Sequence, residues 1–182
     1  MRKYVCFDIE SGGLNPFKNC VCSVTMKVVG APEIKTWLIK PNPDMDYEDK
    51  AMEINGLSLE ELQKNGVSEE QATDEIQKYL LSCGKPNLVA HNIVFDIQFM
   101  NALFRRNHSR LFTDFCYYHS QDTMMLAKTL SIIGRISLKK FNLKAVHQYL
   151  FGKDFEDQHT SEGDVLATEK VFFKLLKIIK DF

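Results

Sequence analysis

The sequence predicts a mixed α/β fold: a five-stranded sheet, built from an antiparallel three-strand meander plus parallel strands, with helices on its faces. Three observations predict it. Three β-rich stretches crowd the first 40 residues and are joined by short turns: 3–9 (KYVCFDI), 21–29 (VCSVTMKVV) and 34–40 (IKTWLIK). Two further strand candidates, 87–91 (NLVAH) and 115–121 (FCYYHSQ), alternate with segments of helical periodicity. No long linker, internal repeat or shift of composition divides the 182 residues, so one domain over 1–182 is expected.

The first strand reads from its aromatic and β-branched content. It runs into a turn-rich stretch, 10–19, with Gly12, Gly13, Asn15 and Pro16. The third strand alternates apolar and polar residues. Two short helical pieces follow over 47–64, around Asn55-Gly56. Ser68 with Gln71 forms a capping-box pattern that opens a helix over 69–82. Asn92 is the expected N-cap of a helix over 94–106, whose Val94, Ile97, Phe99, Met100, Leu103 and Phe104 recur at helical spacing. Asp122 is placed to cap the next helix, MMLAKTL. A further helix is expected over 141–151. The last, 163–180, turns Val165, Leu166, Val171, Phe172, Leu175, Leu176 and Ile179 inward and most of its lysines outward.

Composition is that of a soluble globular chain, with 45% hydrophobic and 26% charged residues. The net charge of −1 supplies no global basic field, so a nucleic acid would have to be gripped by a local patch or through metal ions. Five cysteines, an odd number without a CxxC pair, read as reduced thiols of an intracellular protein, cytoplasmic or nuclear, and not as a zinc site. The N-terminus has no continuous apolar segment or cleavage site of a secretory signal. No run approaches the roughly 18 apolar residues of a membrane span. Asn107-His108-Ser109 matches a glycosylation sequon by chance.

The acids carry the chemistry. Asp8 and Glu10 stand one residue apart on a strand and share a face. Two carboxylates there repel each other and resist desolvation, so they need water or a cation between them. Alone, the pair reads as a solvated strand end or an ion pair; hard oxygen ligands equally suit magnesium or manganese. A second cluster, AHNIVFD (Ala90 to Asp96), follows a strand and opens a helix. Capping accounts for Asn92, and an acid in a first turn complements the helix macrodipole, but these explain His91 and Asp96 less well than Asn92. A third, HTSEGD, places His159 before a helix and Asp164 in its first turn.

Taken together and in this order, the three clusters resemble the DEDDh family of 3′→5′ exonucleases, whose members carry DxE, NxxFD and HxxxxD on a ribonuclease-H-like fold. Here these are Asp8-Ile9-Glu10, Asn92-Ile93-Val94-Phe95-Asp96, and His159 with Asp164. Ile54-Asn55-Gly56-Leu57 is similar to an IHGL-like element of proofreading subunits, and Gln121-Asp122-Thr123 to their DT step before a helix. The stretch from Ser137 to Thr168 looks closest to the three-prime repair exonucleases. Residues 3–180 take part in the resemblance. Two departures stand out: Gly12 occupies a position where relatives carry a hydroxyl, and Val165 one where alanine is frequent.

The resemblance implies hydrolysis of phosphodiester bonds from a DNA 3′ end, releasing nucleoside 5′-monophosphates, with two Mg²⁺ or Mn²⁺ ions roughly 3.5–4 Å apart. It implies Asp8, Glu10, Asp96 and Asp164 as metal ligands, Asp8 bridging, and His159 as general base, an imidazole whose ordinary pKa of about 6.5 suits that task. It further implies that Ser11, Gly13, Leu14, His91, Asn92 and Phe95 meet the substrate, with Leu14 wedged at the terminal base. Phosphate contacts are sought among Arg105, Arg106, His108 and Arg110, and among Arg135, Lys139 and Lys140. An exoribonuclease, distinguished by recognition of the 2′-OH, and a catalytically dead binding module remain open alternatives. Partners implied are nucleic acid with a 3′ end, a polymerase or similar machinery, and a second copy of the chain paired along an open edge of the third strand.

Overall fold

A computed structural model describes residues 2–107 and 110–181. Its centre is β1 (Tyr4–Ser11), the middle strand of a five-stranded sheet in the order β3-β2-β1-β4-β5. β2 (Val21–Val28) and β3 (Ile34–Leu38) complete the antiparallel meander, while β4 (Asn87–Ala90) runs parallel to β1 and the two-residue β5 (Gln121–Asp122) parallel to β4. Among the described residues seven α-helices surround it: α1 (Asp49–Asn55), α2 (Leu59–Asn65), α3 (Glu69–Ser82), α4 (Ile93–Asn107), α5 (Thr123–Ile132), α6 (Leu143–Phe151) and α7 (Ser161–Lys180).

The period-two alternation of β1 sorts its side chains. Val5, Phe7 and Ile9 face the larger core with Ile76 and Leu80 of α3 and Met100, Leu103 and Phe104 of α4. Cys6 faces the opposite way, against Val165 and Phe172 of α7. Asp8 and Glu10 share that second face. They are registered against Thr25 and Ser23 of β2, with Lys27 opposite Cys6. Ser23, Thr25 and Lys27 are therefore a polar row under α7, and each finds a partner on it. Ser161, at the start of α7, bonds the hydroxyls of Ser23 at 2.9 Å and Thr25 at 2.8 Å. Lys27 donates to both oxygens of Glu169 at 2.6 and 2.7 Å. The backbone N–H of Gly30 donates to Glu169 as well. α7 is thus pinned to the sheet at two points two turns apart.

Local signals place the helix ends. Ser68 accepts from Gln71 N–H at the start of α3, and the Gln71 side chain donates through Nε2 to Glu75 one turn on. Asp122 accepts from Met124 N–H and Met125 N–H and caps α5. α6 begins two residues later than its apolar pattern predicts, capped by Asn142. α7 begins two residues earlier, capped by Thr160.

Three expectations are corrected. Leu166, Leu176 and Ile179 of α7, expected to turn inward, are exposed. The stretch 115–121 is not a strand. Phe112–Phe115 form a 3₁₀ turn whose two phenylalanines plug the core, and only Gln121–Asp122 pair with β4. The intervening Tyr117, Tyr118 and His119 stack on one another, and Tyr117 N–H donates to Pro86, so aromatic β-propensity is satisfied without a ladder. Asn92 is not an extended N-cap. Its φ of 70° is left-handed, and its N–H donates to Asp122. The edge of β3 is partly closed, since Val67 N–H donates to Leu38 and Lys40 N–H to Val67. His108 and the sequon it belongs to lie outside the described residues.

The Lys27–Glu169 pair is nearly sealed from water, with side chains 7% and 13% exposed. Lys27→Met strands a buried carboxylate and is expected to cost about 3 kcal/mol. The double substitution Lys27→Met with Glu169→Leu should recover most of that loss. Urea denaturation of both variants checks this; equal destabilisation would contradict it.

Candidate active site

The acids converge where α7 crosses β1. Asp8 and Glu10 come from consecutive outward positions of the strand, and Asp164 from the first turn of α7, whose position Ser161 fixes. One carboxylate oxygen of each lies within 4.8 Å of the others, and all three side chains are half-buried. Asp96 enters from the other side. β4 ends at Ala90, and its pairing with β1 ends at Cys6 opposite Val89, so the main-chain N–H of Ile9 has no strand to meet. The carboxylate of Asp96, in the first turn of α4, accepts that N–H and its own. Asp96 is 3% exposed and lies beside Asp8, outside the three-acid group.

The electrostatics follow from crowding. Burial raises Asp8 well above the usual carboxylate range, and the charges of Asp96, Asp164 and Glu10 raise it further. Burial also lifts Asp96, against the pull of its two backbone hydrogen bonds. Glu10 is pushed up to about 7 by burial and then by Asp164. Asp164 is pushed up to about 6 by burial, opposed by the imidazole of His159 and by the His159 main-chain N–H. A set of hard oxygen donors with no thiolate or imidazole, carrying excess negative charge in a half-buried cleft, fits a hard divalent cation. Among the described residues this is the one group of three such ligands.

His159 is exposed and stands beside Asp164 with a left-handed φ of 64°. Asp157, two residues earlier, is also left-handed at 54°. The segment folds back so tightly on α7 that a Cβ at Gly163 would collide with the carbonyl of Asp157. That is why HTSEGD needs its glycine.

The remaining expected contacts separate into two kinds. Ser11 Oγ donates to Gly13 O at 2.7 Å, and Gly12 is bonded to Cys20 and Glu48 through its backbone, so the turn after β1 is rigid. A Cβ at Gly13 would strike Asn19 and Glu48. Leu14 projects from this turn 79% exposed. Asn55 secures it from below, donating to Ser11 O at 3.3 Å. Phe95 is half-buried and stacks on Phe99 at 4.8 Å, at the border of core and cleft. His91 is committed to the scaffold. Its Nε2 faces Phe141 O at 2.8 Å and its Nδ1 faces Thr123 Oγ1 at 2.9 Å. Burial lowers its pKa; Nε2 donates to the Phe141 carbonyl, and Nδ1 shares the Thr123 hydroxyl with Ala90 O, which lies 3.2 Å from it. Asn92 is exposed. Ser23, Thr25 and Ser161, which deliver Asp164, are the positioning residues that motif reading misses. The signal for Ser23 and Thr25 is the polar alternation Ser-x-Thr-x-Lys within an otherwise apolar strand.

Residues 5–172 match the exonuclease family RNase_T. The chain belongs to the exonuclease family. Among relatives, it is 27% identical over 179 residues to the PolC-type DNA polymerase III of Streptococcus pneumoniae, covering 98% of this chain and 11% of that protein. Identity is also 27% to the PolC-type DNA polymerase III of Lactococcus lactis, over 97% of this chain and 10% of that protein. Among solved structures, E. coli exonuclease I in complex with a dT13 oligonucleotide superposes with a TM-score of 0.78 at 19% identity, covering 97% of this chain and 41% of that one. The same enzyme with a 5cy-dT13 oligonucleotide gives 0.80 at 20%. The chain thus spans about a tenth of the PolC proteins and two fifths of exonuclease I, with which it shares its fold. No helix among the described residues is long and apolar enough to cross a membrane.

Raised carboxylates bind protons more tightly in the fold than in the unfolded chain. Their stabilising contribution is complete below the ordinary values of 3.8 and 4.5 and is lost as pH rises through about 6 for Asp164 and about 7 for Glu10. In EDTA the Tm should therefore fall between pH 5 and pH 8. Added Mg²⁺ or Mn²⁺ should raise it more at pH 8 than at pH 5. Thermal scans across this range test the claim, and Glu10→Gln should flatten the EDTA profile.

Proposed function

We propose that this chain is a 3′→5′ exonuclease domain acting on DNA ends and releasing nucleoside 5′-monophosphates. The observation that carries the reading is the convergence of Asp8, Glu10 and Asp164, with His159 exposed beside Asp164, in a chain of the exonuclease family. Asp8, Glu10 and Asp164 would hold one divalent ion, and Asp8 with Asp96 a second, Mg²⁺ or Mn²⁺ in each place. When bound, such ions neutralise charge developing on the phosphoryl oxygens and acidify the attacking water.

The protein's own groups do the rest. His159 takes the proton of the attacking water at its imidazole; its solvent-exposed position lets it pass that proton on. Leu14 is held out by the rigid turn to pack against the last base. Ser11 Oγ spends its proton on Gly13 and keeps lone pairs for a donor such as the terminal 3′-OH. Asn92 and Phe95 flank the terminal nucleotide from the start of α4, and His91 braces them from behind. The likeness to PolC supports a role in trimming or proofreading DNA 3′ ends, with a polymerase as partner.

Labelled DNA and RNA, single- and double-stranded and tagged at either end, with Mg²⁺, Mn²⁺ or EDTA, test the reading. DNA should shorten from its 3′ end with metal and remain intact in EDTA or with Asp8→Ala. Activity that survives both sinks the proposal, and faster loss of RNA reassigns the substrate. His159→Ala is expected to lower kcat at least 100-fold while oligonucleotide binding persists. Near-normal turnover would remove His159 from its role.

A further inference from the structure

A groove of about 470 Å³ runs between the turn after β1 and the second half of α4. Leu14 and Phe17 form one wall, and Gln98, Asn101 and Arg105 form the other. Phe17 is 81% exposed, a high value for an aromatic ring. It is not on a floppy loop. Asn15 Oδ1 accepts from Phe17 N–H, Asn19 Oδ1 accepts from Asn15 N–H, and Asn19 donates to Asp46 O. The ring is therefore presented to solvent by a braced turn.

The basic residues of this region have different fates. Arg106 is paired with Glu69 at 2.8 Å. Arg110 lies over the Phe115 ring and near Asp114. Arg105 forms no ion pair with any described residue and lines the groove, in which no acid takes part. The groove borders the candidate active site through Leu14, which lines it. Its near end is Leu14, three residues beyond β1. Its far end is Arg105, nine residues along α4 from Asp96, or about 13 Å along the helix axis. A strand stacked at about 3.4 Å per nucleotide covers that distance in about four nucleotides.

We propose that this groove is a second nucleic-acid subsite, which holds single-stranded nucleotides upstream of the scissile terminus. Phe17 is the stacking platform and Arg105 the phosphate contact. A ring beside a lone cation, with no carboxylate in the lining, has the chemistry of a sequence-tolerant single-strand track. The inference rests on the exonuclease reading and adds to it a dependence on substrate length.

The test compares wild type with Phe17→Ala/Arg105→Ala, both surface substitutions. One arm measures kcat/KM for dT12 and for the dinucleotide dT2, which is too short to reach Arg105. The other measures binding of fluorescein-labelled dT12 with a phosphorothioate 3′ linkage in Ca²⁺ buffer at several salt concentrations. The expected result is an approximately tenfold fall in the dT12-to-dT2 ratio of kcat/KM and an approximately tenfold weaker dT12 complex. The salt slope should drop by about one for the lost phosphate contact. An unchanged ratio with unchanged binding overturns the subsite while the exonuclease reading stands; this is the outcome if the groove receives a protein segment instead. If wild type cleaves neither substrate, the exonuclease reading fails, and the binding arm alone decides the subsite.

Discussion

The docking of one helix end governs this molecule. A carboxylate in the first turn of α7 reaches the two on β1 only if that turn is held over the sheet, and its hold is a cluster of hydroxyls: Ser161 bonded to Ser23 and Thr25, with Thr36 behind them at 2.9 Å from Thr25. Hydroxyls suit this task because each both donates and accepts, so the cluster satisfies itself without adding charge to a place already crowded with acids. Two turns further on, where the acids are behind it, the helix is secured by an ion pair instead. Neutral fastening near the site and ionic fastening away from it let the cleft keep its negative charge unspent.

That charge is unfavourable in the protein alone. Burial lifts all four carboxylates, repulsion from neighbouring acids adds to it for Asp8, Glu10 and Asp96, and none has a lysine or arginine as ion-pair partner among the described residues. Structural acids elsewhere in the chain are treated differently. Glu69 gathers Arg106, Asn107 and Asn42 around its two oxygens and is held below its usual range despite burial. The contrast between a neutralised acid and an unneutralised group is what marks the cleft as a place for cations.

Much of this was legible in the sequence because it is periodic or ordered. Alternation on β1 puts Asp8 and Glu10 on one face, and the order of the DxE, NxxFD and HxxxxD clusters names the family. What was not legible depends on partners far along the chain. His91 sits inside a motif and reads as a substrate contact, yet its nitrogens are occupied by residues 32 and 50 positions away. FCYYHSQ reads as a strand because aromatic content is the same whether rings line a ladder or plug a core. Asn92 reads as a cap because it precedes a helix, but the side chain doing the capping work in that corner is Asp122, from β5. The polar row of β2 was visible as Ser23, Thr25 and Lys27, but nothing local says that a helix 130 or more residues later will lie across it.

The brevity of β4 acts as a ruler. Because the strand stops at Ala90, one backbone donor of β1, the N–H of Ile9, is left for Asp96 to bind. Were β4 longer by two residues, the ladder would claim that donor and Asp96 would be displaced, although every acid in the chain would be intact. Insertions at the end of a strand could thus disable such a cleft while leaving its motif letters unchanged, and a complete set of acids is a sound sign of an active site only alongside the strand length that seats them.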